Sequence, residues 1–229
     1  MLKAILIDVG GTLVDEDEFF RQADQLIMSE VARARKATTP EEYERILISY
    51  TKRCFPNPRE VTLWHLLRPD LAEFKRVREL LQQLVQEWTA SAVRPEAAVA
   101  VAALAKGKGY KLALAENQQA KVKELLRKEG ILERFAFQLV SEEMGVSKPN
   151  PLFFQIILDF LGVEPKEAVM VGDRLDLDIF PAKFLGLRTV RVLVGPYTAQ
   201  EPPAPDYEPD LTITSLAELP EALTKLEGG

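Results

Sequence analysis

Short apolar runs recur along the chain, each closed by an acid, a glycine or another polar residue, and amphipathic stretches lie between most of them. The runs predict strands at 4–8, 111–115, 135–140, 168–171, 187–192 and 211–214. Between them the pattern predicts helices at 95–105, 118–128, 151–161, 175–185 and 216–225. Pro95, Pro149 and Pro151 fit helix starts, where a missing N–H costs least, and Gly107, Gly162 and Gly186 stand where helices should stop. Strands that are apolar on both faces and alternate with helices belong to a parallel sheet covered by helices, an α/β arrangement, rather than to a sandwich or a bundle.

Residues 16–92 break this alternation. They contain no convincing strand but carry helical stripes: Phe74, Val77, Leu81, Leu84 and Trp88 on one ridge, and Tyr43, Ile46, Leu47 and Tyr50 on another. An all-helical module inserted after the first strand is expected, with 1–15 and 93–229 forming the sheet domain. Residues 195–209, rich in proline and acids and without periodicity, are expected to form a surface loop before the last strand. No internal repeat is visible.

Composition narrows the chemistry. The chain has 229 residues, 47% hydrophobic and 28% charged, enough for one large domain or two small ones with a real core. Its 29 Lys and Arg against 35 Asp and Glu leave a net charge of -6 with no basic run, so a nucleic-acid partner is not expected. Cys54 is the one cysteine and cannot form an internal disulfide. With His65 the one histidine, a zinc site or a Ser-His-Asp triad has little to draw on, so any metal should be a hard cation held by carboxylates. There is no apolar stretch of about 18 residues and no signal-peptide pattern, so no membrane association and a cytoplasmic location are expected.

In open parallel sheets ligands bind beyond the carboxyl ends of the strands, so the residues that follow each apolar run are the informative ones. Asp8 follows the first run and leads into Val9-Gly10-Gly11-Thr12-Leu13, Glu116-Asn117 follows the second, and Gly172-Asp173-Arg174-Leu175-Asp176-Leu177-Asp178 follows the fourth. Asp8, Glu116 and Asp173 would converge on one rim, where like charges repel and lose solvation, and a divalent cation such as Mg²⁺ is the usual way to neutralise them. Lys148, ahead of a predicted helix, adds a cation where an anion is also welcome. A metal, a lysine and a helix start beside a carboxylate make a phosphoryl-transfer pocket.

The stretch from Asp8 to Asp15, the Lys148-Pro149 pair, and Gly172-Asp173 with Asp178 resemble the ordered motifs of the haloacid dehalogenase superfamily, in the branch with a helical cap after the first strand. Gly109-Tyr110-Lys111-Leu112 and the closing Pro209-Asp210 are also similar to it. The resemblance implies a Rossmann-like core with an inserted all-helical cap, Mg²⁺ as cofactor, and a small phosphorylated metabolite as substrate of a phosphomonoesterase. Residue by residue, it implies Asp8 as the nucleophile that forms an aspartyl-phosphate. It implies a metal held by Asp8, Asp173 and the carbonyl of Gly10. Thr12 would support the nucleophile loop, Lys148 would hold the phosphoryl group and the nucleophile's carboxylate, Asp178 would orient Lys148 or support the metal shell, and Gly11 would permit the tight turn.

Two positions depart from that pattern. Most phosphatases of the superfamily carry a second Asp where this chain has Gly10, and it serves as general acid and base, a contribution on the order of 10² to 10⁴ in rate. Glu116 falls where the family places a Ser or Thr that binds the phosphoryl oxygens. One expectation is a phosphatase in which Glu116 supplies the missing acid and base. The alternative is a scaffold impaired in catalysis that acts as a binding or regulatory protein, and a 2-haloacid dehalogenase is a third reading. Asn117 has two uses, binding phosphate or capping the helix that follows. Arg174 is expected to pair with Asp176 or Asp178, Asp15 to steady its loop, and His65 and Cys54 to pack. The chain is expected to be a monomer or a homodimer.

Overall fold

The computed structural model describes residues 1–88, 92–107, 109–117 and 120–228. The chain divides into two compact units: Met1–Glu16 with Ala90–Thr198 and Ala204–Gly229, and Asp17–Thr89 with Ala199–Pro203.

The first unit is built on six parallel strands, β1 (Ala4–Ile7), β2 (Lys111–Glu116), β3 (Phe137–Val140), β4 (Ala168–Gly172), β5 (Arg188–Val192) and β6 (Leu211–Ile213), in the order β3-β2-β1-β4-β5-β6. All of β1 and β4 and most of β2 are buried, which is why these segments read as continuous apolar runs.

The helices of the second unit are α1 (Asp17–Arg33), α2 (Pro40–Lys52), α3 (Pro58–Leu67) and α4 (Leu71–Glu87); those of the first are α5 (Pro95–Lys106), α6 (Val122–Lys128), α7 (Ser141–Met144), α8 (Pro151–Leu161), α9 (Phe180–Phe184) and α10 (Leu219–Gly228). None of the helices among the described residues is long and apolar enough to cross a membrane.

Helix α8 starts where Asn150 accepts the Leu152 N–H at 3.0 Å, and it stops at Gly162 in the left-handed conformation. Its Phe153, Phe154, Ile157 and Leu158 are fully buried against Leu6, Ala113 and Met170 of the sheet. Each such side chain contributes about 1.5–3 kcal/mol by leaving water, so Phe154→Ala should cost about 3–5 kcal/mol.

The second unit has its own core, in which Ile27, Val31, Tyr43, Leu63, Leu67 and Val77 are buried, with Phe74 and Leu81 packed against them. Both sequence stripes thus face inward. His65 Nδ1 lies 2.9 Å from the Tyr50 hydroxyl, within this unit.

Three elements differ from the sequence pattern. The stretch 175–185 is a wide π-helical turn, Leu175–Ile179, followed by α9, because Pro181 has no N–H to continue an α-helix and the Asp178 carboxylate is turned inward to bind the Arg174 N–H. The helix placed at 118–128 begins at Val122, while residues 118 and 119 lie outside the described residues. Residues 195–209 are not simply a surface loop. Tyr197 and Gln200 are buried, and Ala199–Pro203 belongs to the helical unit, where the Glu201 carboxylate accepts from Lys52 Nζ at 2.8 Å.

Candidate active site

In the strand order, β1 has β2 on one side and β4 on the other, so the residues that follow these three strands open on one crevice. Asp8 continues β1 through its N–H, which donates to Val171 of β4 at 2.9 Å. The chain then turns at Gly11, whose φ of 76° favours glycine, and a Cβ there would stand 2.8 Å from Asp173 Oδ2. Gly172 permits a second close approach, because a Cβ on it would overlap the Asp178 carboxyl.

Asp8, Thr12, Glu116, Lys148, Asp173 and Asp178 are all buried here. Lys148 Nζ donates to Asp8 Oδ1 at 2.5 Å and to Asp178 Oδ1 at 2.7 Å. Thr12 Oγ1 donates to Asp8 Oδ2 at 2.8 Å, so both oxygens of the Asp8 carboxylate are held. Asp178 uses its second oxygen to accept the Arg174 N–H at 3.0 Å. Arg174 itself pairs with Asp176 at 2.5 Å and lies over the Tyr197 ring.

Glu116, at the end of β2, accepts the Gly10 N–H on Oε2 at 2.6 Å. Asn117 does not cap α6, which starts beyond Lys121. Its Oδ1 accepts the Lys148 N–H and its Nδ2 donates to the Lys148 carbonyl, each at 2.8 Å, so it fixes the backbone that carries the lysine.

Burial dominates the titration of this cluster. It pushes Asp8 up to about 6, with Lys148 and Thr12 opposing it and Glu116 adding to the rise. Asp178 is likewise pushed up to about 6 by burial and by Asp8, against Lys148. Asp173 is raised well above its ordinary value by burial, Asp8, Asp178 and Glu16, and Arg174 lowers it only in part. Burial also raises Glu116, against Lys148 and the amides of Gly10 and Asn117. For Lys148 burial disfavours the ammonium, yet Asp178, Asp8 and Glu116 together hold it above its ordinary value.

Three carboxyls, those of Asp8, Asp178 and Glu116, thus act on the Lys148 ammonium, and Asp173 adds a fourth buried acid beside Asp8 and Asp178. Asp173 Oδ2 is buried without a hydrogen-bond partner among the described residues. Asp8, Asp173 and Asp178 each offer an atom within 4.8 Å of the others. A donor set made of oxygen, with one carboxylate oxygen otherwise unsatisfied, fits a hard divalent cation.

A family model described as haloacid dehalogenase-like hydrolase matches residues 2–186. The chain belongs to this family. Among curated relatives, the hydrolase is 43% identical over 119 residues to the glyceraldehyde 3-phosphate phosphatase of Methanopyrus kandleri, covering 52% of this chain and 51% of that one. It is 37% identical over 152 residues to the phosphoserine phosphatase of Thermus thermophilus, covering 65% of this chain and 59% of that one. The alignment thus spans about half the length of the first of these relatives. Among solved structures, a predicted phosphoglycolate phosphatase from Haemophilus somnus superposes with a TM-score of 0.69 at 23% identity, over 97% of this chain and 98% of that one. A 2-haloacid dehalogenase from Pseudomonas syringae superposes at 0.61 and 26% identity, over 98% and 99%.

Two arginines at the site carry no motif. Arg191 of β5 donates from Nε to the Asp173 carbonyl at 3.3 Å and from Nη2 to the Tyr197 carbonyl at 2.8 Å, and its only signal in the sequence is a cation between Val190 and Val192. Arg94 donates from Nε to the Gly11 carbonyl at 3.0 Å, and nothing in the spacing around it points there.

Proposed function

We propose that this hydrolase is a Mg²⁺-dependent phosphomonoester phosphatase acting on a small phosphorylated metabolite through an aspartyl-phosphate on Asp8. The observation that carries the reading is the buried Lys148 ammonium shared between Asp8 and Asp178, beside an Asp173 oxygen that has no partner among the described residues.

Asp8 and Asp173, with the Gly10 carbonyl and with Asp178 behind them, would hold the metal, and Mg²⁺ bound there would neutralise charge on the transferring phosphoryl group. Thr12 and Lys148 orient the Asp8 carboxylate, and an oxygen of that carboxylate attacks phosphorus while the ester oxygen leaves. Lys148 also meets the negative charge of the phosphoryl oxygens. Asp178 holds Lys148 from the far side, and Asn117 fixes its backbone.

The departing alkoxide needs a proton, and Gly10 has none to give. Glu116 compensates. Its carboxyl lies against Gly10, at the residue where the family's acid is missing, and burial raises its pKa, which favours the protonated form that a general acid needs. Glu116 would then remove a proton from the water that hydrolyses the acyl phosphate.

A second reading, a scaffold impaired in turnover, has the same contact in its favour, since a carboxylate that occupies the Gly10 amide competes with an incoming phosphoryl oxygen for that donor.

Hydrolysis of p-nitrophenyl phosphate, measured with Mg²⁺ and with EDTA on the native protein and on Asp8→Asn, tests the reading. Turnover that needs both Mg²⁺ and Asp8 supports a phosphatase, and glyceraldehyde 3-phosphate and phosphoserine are then the first esters to try. Absence of turnover in the native protein, on all three esters, favours the scaffold.

A further inference from the structure

The insertion leaves and rejoins the sheet unit through two segments that run side by side. Val14 and Val93 form an antiparallel bridge, Asp15 donates its N–H to the Ala92 carbonyl, and Arg94 donates its N–H to the Leu13 carbonyl. The Arg94 side chain turns from there into the rim. Nε binds the Gly11 carbonyl at 3.0 Å and Nη1 reaches Asp15 Oδ2 at 3.3 Å. Nη2 is buried with no hydrogen-bond partner among the described residues, and the other such atom is Asp173 Oδ2.

These two atoms, a cationic donor and an anionic acceptor, face the same spot. A Cβ placed on Gly195 would stand 3.8 Å from Arg94 Nη2, 3.9 Å from Asp173 Oδ2 and 3.8 Å from the Gly11 Cα. A buried cationic donor left unmade is costly, and a carboxylate oxygen that serves a metal through one lone pair can still accept through another, so one partner shared by Nη2 and Oδ2 satisfies both. That partner must accept from a guanidinium and donate to a carboxylate. A water or hydroxyl oxygen does both, and a phosphoryl oxygen does not.

We propose that Arg94 is a positioning residue for the metal centre: it holds the Gly11 carbonyl directly and Asp173 through one bridging water or hydroxyl oxygen beside Gly195. This rests on the reading above that Asp173 holds a metal. The guanidinium fork is what the arrangement needs, since its three nitrogens serve three directions at once and a lysine ammonium at the end of a longer stem cannot.

The test is the Mg²⁺ affinity of folded protein, measured by calorimetry on native protein, Arg94→Lys, Arg94→Ala and Asp173→Asn. Both Arg94 variants should bind Mg²⁺ about tenfold or more weakly than native. Millimolar guanidinium should restore affinity to Arg94→Ala and leave Arg94→Lys unchanged. Native affinity in folded Arg94→Lys, tighter binding in either variant, or no rescue of Arg94→Ala overturns the proposal. If Arg94→Ala does not fold, the lysine variant decides alone. Failure of the native protein to bind Mg²⁺ defeats the metal reading instead, and so does an unchanged affinity in Asp173→Asn.

Discussion

Asp173→Asn should make this hydrolase more stable without Mg²⁺ and blind to Mg²⁺. The native carboxyl is buried, one of its oxygens has no partner among the described residues, and three other acids raise its pKa against Arg174 alone. In the metal-free fold it must either stay ionised against those neighbours or take up a proton. Protonating a group whose ordinary value is 3.8 costs about 1.4 kcal/mol per pH unit above that value, so the penalty at pH 7 has a ceiling of about 4 kcal/mol.

Asparagine has nearly the same shape and never pays this penalty, though its amide leaves polar atoms to satisfy. A net gain of about 2 kcal/mol is reasonable, and at roughly 2–4 °C per kcal/mol for a chain of this length the melting temperature should rise by roughly 4–8 °C.

The sign with pH follows from the direction of the shift. A carboxyl raised in the folded state adds stability below its unfolded value and loses it as pH rises, so the advantage of the variant should shrink at pH 5 and be full at pH 7. Saturating Mg²⁺ reverses the order. The native protein at a hundredfold excess over its dissociation constant gains about 2.7 kcal/mol, and the variant gains little. Thermal melts at pH 5 and pH 7, each with EDTA and with Mg²⁺, read all of this at once. A variant that melts below native protein in EDTA at pH 7, or that keeps the native response to Mg²⁺, refutes the reasoning.

Other outcomes follow from neighbouring residues. Glu116→Gln keeps an acceptor for the Gly10 N–H but cannot exchange a proton, so hydrolysis of an alkyl phosphate should fall about 10²-fold or more while p-nitrophenyl phosphate, with its good leaving group, falls far less; equal losses on both esters would remove Glu116 from proton transfer. Asn117→Ala removes both bonds that hold the Lys148 backbone and should lower turnover about 10- to 100-fold by misplacing the ammonium, at about 1–3 kcal/mol of stability; native rates in this variant would deny it the positioning role. Lys148→Met strands Asp8 and Asp178 without their cation and should cost about 3–5 kcal/mol at pH 7. Both acids already titrate up near about 6, so acid neutralises them in the variant and the gap to native protein should narrow at pH 5; denaturant melts that show the same gap at both values would be the contrary result.

The chain of residues alone placed the sheet, because strands buried on both faces must be apolar throughout and such runs are visible without any fold. It also determined the helical character of 17–87, whose stripes at Tyr43 and Val77 turned inward as periodicity requires, and it named Asp8, Glu116, Lys148 and Asp173 by their places after strands and before a helix.

What those residues do to one another is visible in the folded chain alone. That Asn117 serves the Lys148 backbone, that Glu116 lies against Gly10, and that 175–179 opens into a wide turn around Asp178 are pairings between distant positions, and no local period records them. Arg94 is the clearest case. It stands 83 residues beyond Gly11, with nothing around it to mark its use, and it comes to the rim because the insertion must return to the sheet beside the strand from which it left. A side chain's period is fixed by its neighbours in the chain, but its partner is fixed by how the chain closes on itself.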